Sequence, residues 1–156
     1  MGFVMLHYYV QNYAKYIITK CNDDNTPISN LQLQHILFSI QKSSLKHIGM
    51  VAFKDDIEAW AIGPVVPAVY YSFCGVGGMP ILERFDISEF IYDLHDVKKE
   101  IDEIIEKNRD ITSWQMKSKL QRSDGAWNRT FMNGEGCFRI IPLDYIMEES
   151  DEYGIL

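Results

Sequence analysis

Two prolines, Pro64 and Pro67, stand close together in IEAWAIGPVVPAVYYSF, residues 57–73. A proline fixes φ near −65° and carries no backbone N–H. Pro64 therefore cannot lie in the hydrogen-bonded middle of a sheet. In the first turn of a helix the missing N–H costs nothing, so Pro67 marks a helix start and PAVYYSFC is expected to be a short helix. Gly63 permits a tight turn just before Pro64. Upstream, MVAFKDDIEAW is short and β-prone, and Asp55-Asp56 is expected to turn a small hairpin that ends on Glu58 and Trp60. The segment then reads as a rigid hinge between hairpin and helix. Tyr70 and Tyr71 are neighbours on that helix and point about 100° apart. Tyr70 is assigned to the core beside Trp60 and Tyr71 to the exposed side.

The flanking sequence is helical. Leu6, Val10, Tyr13, Ala14, Ile17 and Cys21 recur at helical spacing and predict a helix over 7–21. Ser29 and Gln32 form a capping box, with Ile28 and Leu33 at the positions of a hydrophobic staple. Leu33, Ile36, Leu37, Ile40 and Ser44 share one face, which predicts a second helix over 30–47, ended by Gly49. Leu94, Val97, Ile101, Ile104 and Ile105 predict a third long helix over 93–107, with a charged outer face. Thr112 and Gln115 repeat the capping box, and Ile111 and Met116 the staple. SDGAWNRTFMNGEG reads as loop with at most one turn, and Pro142 opens a last helix that points Leu143, Ile146 and Met147 inward. The expected fold is mainly α: a single domain over 1–156, a helical bundle with a small β-hairpin after the second helix.

The chain carries −7, and the charge is uneven. Residues 1–78 hold five basic and five acidic side chains, whereas residues 79–156 hold ten and seventeen. Nucleic-acid binding leaves a basic stripe. Only Lys117, Lys119, Arg122, Arg129 and Arg139 approach one, and Asp124 and Glu135 interrupt it. Cys21, Cys74 and Cys137 form no paired spacing, so three buried, reduced thiols of a cytosolic protein are expected. No apolar run is long enough to span a bilayer, and no basic stretch precedes the apolar start as in a signal peptide. Leu6 occupies the place where a myristoylation motif has Ser or Thr.

Enzyme constellations are missing. No nucleophile elbow, phosphate-binding loop or zinc-protease motif occurs, and GVGGMP lacks dinucleotide-fold spacing. His7, His35, His47 and His95 form no i, i+4 pair, so neither a metal nor a cofactor is expected. Aromatic residues are abundant, with three Trp, nine Tyr and eight Phe. Rings near turns either fill the core or anchor an interface.

At this point a family pattern is visible. ISNLQLQHILFSIQ followed by MVAFKDDIEAWAIGPVVPAVYYSF resembles the Panacea domain family, which comprises SocA-like antitoxins and GepA-like phage-associated proteins. Ser29, Leu31, Leu33 and Gln34 match its capped helix. Glu58, Ala59, Trp60, Gly63, Pro64, Val65, Pro67, Val69 and Tyr70 match the block that follows. ITSWQMKSKL and IIP match more weakly. The family often carries Thr-His before a Pro-Trp pair. Here Gln121-Arg122 and Ala126 replace those residues and only Trp127 remains, which argues against catalysis.

The resemblance implies an antitoxin-like protein of a toxin–antitoxin or prophage element. Its protein partner would be a toxin, neutralised by direct binding; at least one member of the family acts as an adaptor that delivers its toxin to a Clp-type protease, which makes such a protease a further partner that the resemblance implies. Glu58, Trp60, Pro64, Pro67, Tyr71 and Trp127 are the candidate partner-binding residues. Two alternatives stay open: an enzyme of unrecognised type with a pocket near Trp60 and Trp127, and a DNA-binding regulator using the five basic residues named above.

Overall fold

The computed structural model describes residues 9–150. Eight α-helices and one two-stranded sheet follow in the order α1 (Val10–Asp23), α2 (Asn30–His47), β1 (Glu58–Trp60), β2 (Gly63–Val65), α3 (Pro67–Phe73), α4 (Ser88–Asp93), α5 (Lys98–Asn108), α6 (Ser113–Leu120), α7 (Ala126–Phe131) and α8 (Leu143–Glu148). The architecture is mainly α with a small hairpin after the second helix. Both capping boxes are formed. Ser29 accepts from the Gln32 N–H and Gln32 accepts from the Ser29 N–H, and Thr112 and Gln115 repeat the exchange. The staple residues Ile28, Leu33, Ile111 and Met116 are all buried.

Helix α2 is the centre of the fold. Leu33, Ile36, Leu37 and Ile40 are buried on it and pack in one cluster with Tyr13, Ile17 and Ile18 of α1 and Ile101 and Ile105 of α5. The same helix buries three side-chain amides, Asn30, Gln34 and Gln41. A buried amide is costly unless it is hydrogen-bonded, and each of these is used. The Gln34 side-chain oxygen accepts the Val66 N–H at 2.9 Å, and its amide donates to the Asn30 oxygen at 3.0 Å. Asn30 in turn donates to the Tyr70 carbonyl at 3.0 Å. Gln41 accepts the Ala52 N–H at 2.8 Å and donates to the Phe53 carbonyl at 3.0 Å.

The hairpin differs from the expected one. Its turn is at Ala61 and Ile62, not at Asp55-Asp56, and β1 pairs with the proline segment itself: Glu58 with Val65, Ala59 with Pro64, Trp60 with Gly63. Pro64 is tolerated because Ala59 turns its polar groups the other way. The Ala59 N–H donates to the Arg139 carbonyl and its carbonyl accepts the Phe138 N–H, each at 2.8 Å. No ladder bond is asked of Pro64, so its missing N–H costs nothing. Gly63 has φ +127°, a backbone state open chiefly to glycine.

Other boundaries also move. Residues 7 and 8 of the expected first helix lie outside the described residues, and α1 runs on to Asp23. The expected helix over 93–107 begins only at Lys98, because Asp93 ends a separate helix, α4, and the chain turns after its C-cap Leu94, while Leu94 stays buried and Val97 packs against the core. The apolar period therefore survives the break. The region from Ala126 to Gly134 is a helix followed by a 3-10 turn rather than loop. In α8 Ile146 is buried but Leu143 and Met147 are exposed, since this short helix rests on the core by one face. Of the three cysteines only Cys21 is buried; Cys74 is exposed and Cys137 partly so.

Gln34→Leu keeps the size of the side chain but strands the Val66 N–H and half of Asn30 in the interior. It should lower unfolding stability by about 1–3 kcal/mol in a denaturant titration. An unshifted midpoint would mean that the hairpin does not depend on this amide.

Candidate functional site

The hinge of hairpin and α3 gathers four aromatic rings. Trp60 is the hub: Tyr70 lies edge-on at 5.1 Å, Phe138 edge-on at 5.5 Å, and Tyr71 tilted at 5.8 Å. Tyr70 and Tyr71 are themselves 5.8 Å apart. The Trp60 indole N–H donates to the Glu58 carboxylate at 2.9 Å, which fixes the ring. Tyr71 is 64% exposed and Phe138 63%. Tyr70 does lie beside Trp60, but it is half-buried on this face and is not part of the closed core. Tyr70 packs on Trp60, which is itself only half-buried, so its ring stays at the rim of the core, while Val69 one residue earlier takes the buried place.

Phe138 had no sequence signal. Its N–H bonds the Ala59 carbonyl, and the segment after it continues along β1, with the Ile141 N–H donating to the Ile57 carbonyl at 2.8 Å. Phe138 also has φ +70°, a state that is rare and strained for a bulky residue. The chain thus holds a strained phenylalanine in solvent against Trp60. Nearby Ile140 is 53% exposed.

A groove of about 610 Å³ opens on the opposite side of the hairpin. His35, Phe38 and Lys42 of α2 form one wall, Lys107 and Asn108 of α5 and Lys119 of α6 another, with Pro64, Arg122 and Trp127 at the edges. Glu149 is buried at one end. It bonds the Lys42 ammonium and accepts the Ala126 N–H that starts α7, both at 2.8 Å. His35 Nε2 lies 3.1 Å from the Asn108 side-chain oxygen. Burial, with Lys119 nearby, pushes the His35 imidazole down to about 4. Burial also lowers Lys119, helped by Lys42 and Arg122.

The six expected site residues therefore fall into two places. Glu58, Trp60 and Tyr71 meet on the aromatic face. Pro64 and Trp127 line the groove. Pro67 opens α3 and aims both tyrosines. The two places touch through Trp127, whose indole N–H donates to the Trp60 carbonyl at 2.7 Å while its ring stacks on Phe131. Of the five basic residues, Lys119 and Arg122 line the groove, whereas Arg129 bonds Glu148 at 2.8 Å and covers the Tyr145 ring. Among the described residues no three His, Cys, Asp or Glu side chains are placed to hold a metal ion, and no helix is long and apolar enough to cross a membrane.

Residues 33–128 match the family described as antitoxin SocA-like, Panacea domain. The chain belongs to this family. A curated relative, antitoxin SocA of Caulobacter vibrioides (strain NA1000 / CB15N), is 27% identical over 132 residues, covering 79% of this chain and 70% of the relative. No solved structure matches. The matched Panacea region takes in Gln34, the hairpin, both tyrosines and Trp127, and ends before Phe138. In this Panacea domain Gln121 is the C-cap of α6, and Arg122 bonds Asp124 at 2.9 Å.

The depressed His35 has a stability consequence with a definite sign. The unfolded chain takes up a proton near 6.5, but the folded imidazole resists it down to about 4. Its contribution is complete above the unfolded value and is lost as pH falls between the two. Within that window stability should fall by about 1.4 kcal/mol per pH unit on account of this group. Asp24, held low by Arg109 and Lys20, acts below the window. Denaturant midpoints measured across it should fall less steeply for His35→Gln. Parallel pH profiles would show that the ring is not kept neutral by the fold.

Proposed function

We propose that this Panacea domain is an antitoxin that neutralises a toxin protein by binding it directly, and that the aromatic face is where the partner docks. The observation that carries the reading is the pair of exposed rings, Tyr71 and Phe138, packed on the half-buried Trp60 over a hydrogen-bonded frame. Tryptophan and tyrosine dominate the energetic centres of protein interfaces, because a large rigid ring buries much area and loses little rotamer freedom. Here the rings are already ordered by Glu58, by one another, and by the buried amides of α2. Binding therefore meets a small ordering cost. Membership of the antitoxin family supports the same conclusion, as does the relative named antitoxin SocA.

The role is stoichiometric binding rather than turnover, in a cytoplasmic setting and a toxin–antitoxin or prophage element. Adaptor delivery of the toxin to a Clp-type protease is a second step that the family resemblance supports. It would need a further surface for the protease while the aromatic face holds the toxin.

The product of the neighbouring gene, co-expressed with this chain, identifies the partner if growth arrest by that product is relieved. Tyr71→Ala and Phe138→Ala should then fold with unchanged melting temperatures and each weaken capture by about 2 kcal/mol. Full-strength capture by both well-folded variants would move the docking site elsewhere.

A further inference from the structure

A third segment lies along the sheet. Residues 138–141 run antiparallel to β1 on the side away from β2, and Ile140 stands directly opposite Glu58. The bonds lie on either side of that pair: the Ala59 N–H donates to the Arg139 carbonyl, and the Ile141 N–H to the Ile57 carbonyl. Two residues paired in this way turn their own polar groups away from each other. Those of Glu58 face Val65 in β2. Those of Ile140 face outward, and among the described residues neither its N–H nor its carbonyl has a partner. The sheet therefore ends in an open edge at an exposed residue.

Both flanks of that edge are closed. On one side the Phe138 N–H and the Arg139 carbonyl both bond Ala59, so two residues face one, which is a bulge. Its first residue takes the left-handed state that glycine usually fills, and here it is Phe138 at φ +70°. On the other side Pro142 has no N–H to offer. Bulge and proline keep an edge from pairing with any strand it meets. What they leave is one donor and one acceptor at Ile140, between the Phe138 ring and a hollow of about 110 Å³ that Ile140 shares with Phe53, Ile57 and Leu143. That is a few water volumes, room for one side chain.

A helix could not use this edge, because its backbone groups are spent within it. An extended chain could: one residue accepts the Ile140 N–H and donates its own N–H to the Ile140 carbonyl. Side chains two apart on such a strand share a face, so one would lie beside Ile140 and the next on Phe138. We propose that the partner adds to the sheet at Ile140 as an extended strand with apolar side chains at alternate positions. This rests on the reading of the aromatic face as the docking site, since Phe138 belongs to both, and it says what form the partner takes there.

The test selects short random peptides on the full-length protein and titrates the synthesised winners into isotope-labelled protein. The winners should carry apolar residues at alternate positions. In the dilute free protein the Ile140 amide should exchange fast, and a bound peptide should slow it by about tenfold or more. Methylating the amide nitrogen of the one peptide residue opposite Ile140 should cost about tenfold in affinity. Methylating either neighbour should not, because successive amides of a strand point opposite ways. Ile140→Pro should weaken the same peptides about tenfold; should it lower the melting temperature, amide exchange and the methylation series decide. A peptide that Phe138→Ala weakens but that neither protects the Ile140 amide nor responds to methylation would overturn the strand and leave the aromatic face standing. Peptides indifferent to Phe138→Ala and to a well-folded Ile140→Pro would count against both. An Ile140 amide that is slow in the free protein at every concentration would show the edge closed by the chain's own terminal residues. One that slows only as the protein is concentrated would make a second copy the occupant. Either would overturn the proposal.

Discussion

The side-chain amide of Gln34 is the interaction on which the working parts of this protein depend. A hairpin with three-residue strands cannot hold itself together in water. Here it is held by α2. Gln34 takes the Val66 N–H at the point where strand becomes helix, and Asn30, bonded to Gln34, takes the Tyr70 carbonyl one turn on. Both ends of the hinge are thus read by one pair of neighbouring side chains. Apolar packing alone would press the hinge onto α2 without fixing its register, whereas a satisfied buried network admits one arrangement. Gln41 does the same for the chain entering the hairpin, through Ala52 and Phe53, and Gln32 reaches the Ile111 carbonyl at the start of α6.

What that frame presents follows from the two sides of the hairpin. On one side β1 accepts the segment around Phe138, which brings a ring from late in the chain against Trp60. On the other, Pro64 and Trp127 close the groove. Trp127 connects them, stacked on Phe131 and bonded to the Trp60 carbonyl. A protein that works by holding another protein gains from surfaces ordered beforehand, because the partner then does not bear the entropy of arranging them.

The elements that were legible in the sequence are those with local causes. Ser29 with Gln32, and Thr112 with Gln115, declare helix starts within four residues. Pro67 declares another, and the apolar spacing of α2 runs unbroken. The elements that were not legible have distant causes. The start of α7 is capped by Glu149, far along the chain, so its sequence reads as loop. The sequence puts the turn of the hairpin at Asp55-Asp56, inside the β-prone MVAFKDDIEAW, and keeps Pro64 out of the middle of a sheet. Pro64 enters one because Ala59 spends its hydrogen bonds on Phe138 and Arg139. Phe138 itself joins the aromatic face only through that pairing, and the cations of the groove come from α2, α5 and α6 as well as from Arg122, so no stretch of sequence shows them together.

The central claim is that the aromatic face is built before any partner arrives. Amide hydrogen exchange in the free protein tests it most directly, read at Val66, whose N–H is held by Gln34, and at Leu33 in the first turn of α2 and Leu37 further inside it. If the hinge is part of the rigid frame, the Val66 amide exchanges only through global unfolding, with the same opening free energy as the α2 amides. Val66 exchanging orders of magnitude faster than Leu33 and Leu37 would show that the hinge opens by itself, and that the face is assembled by its partner rather than by α2.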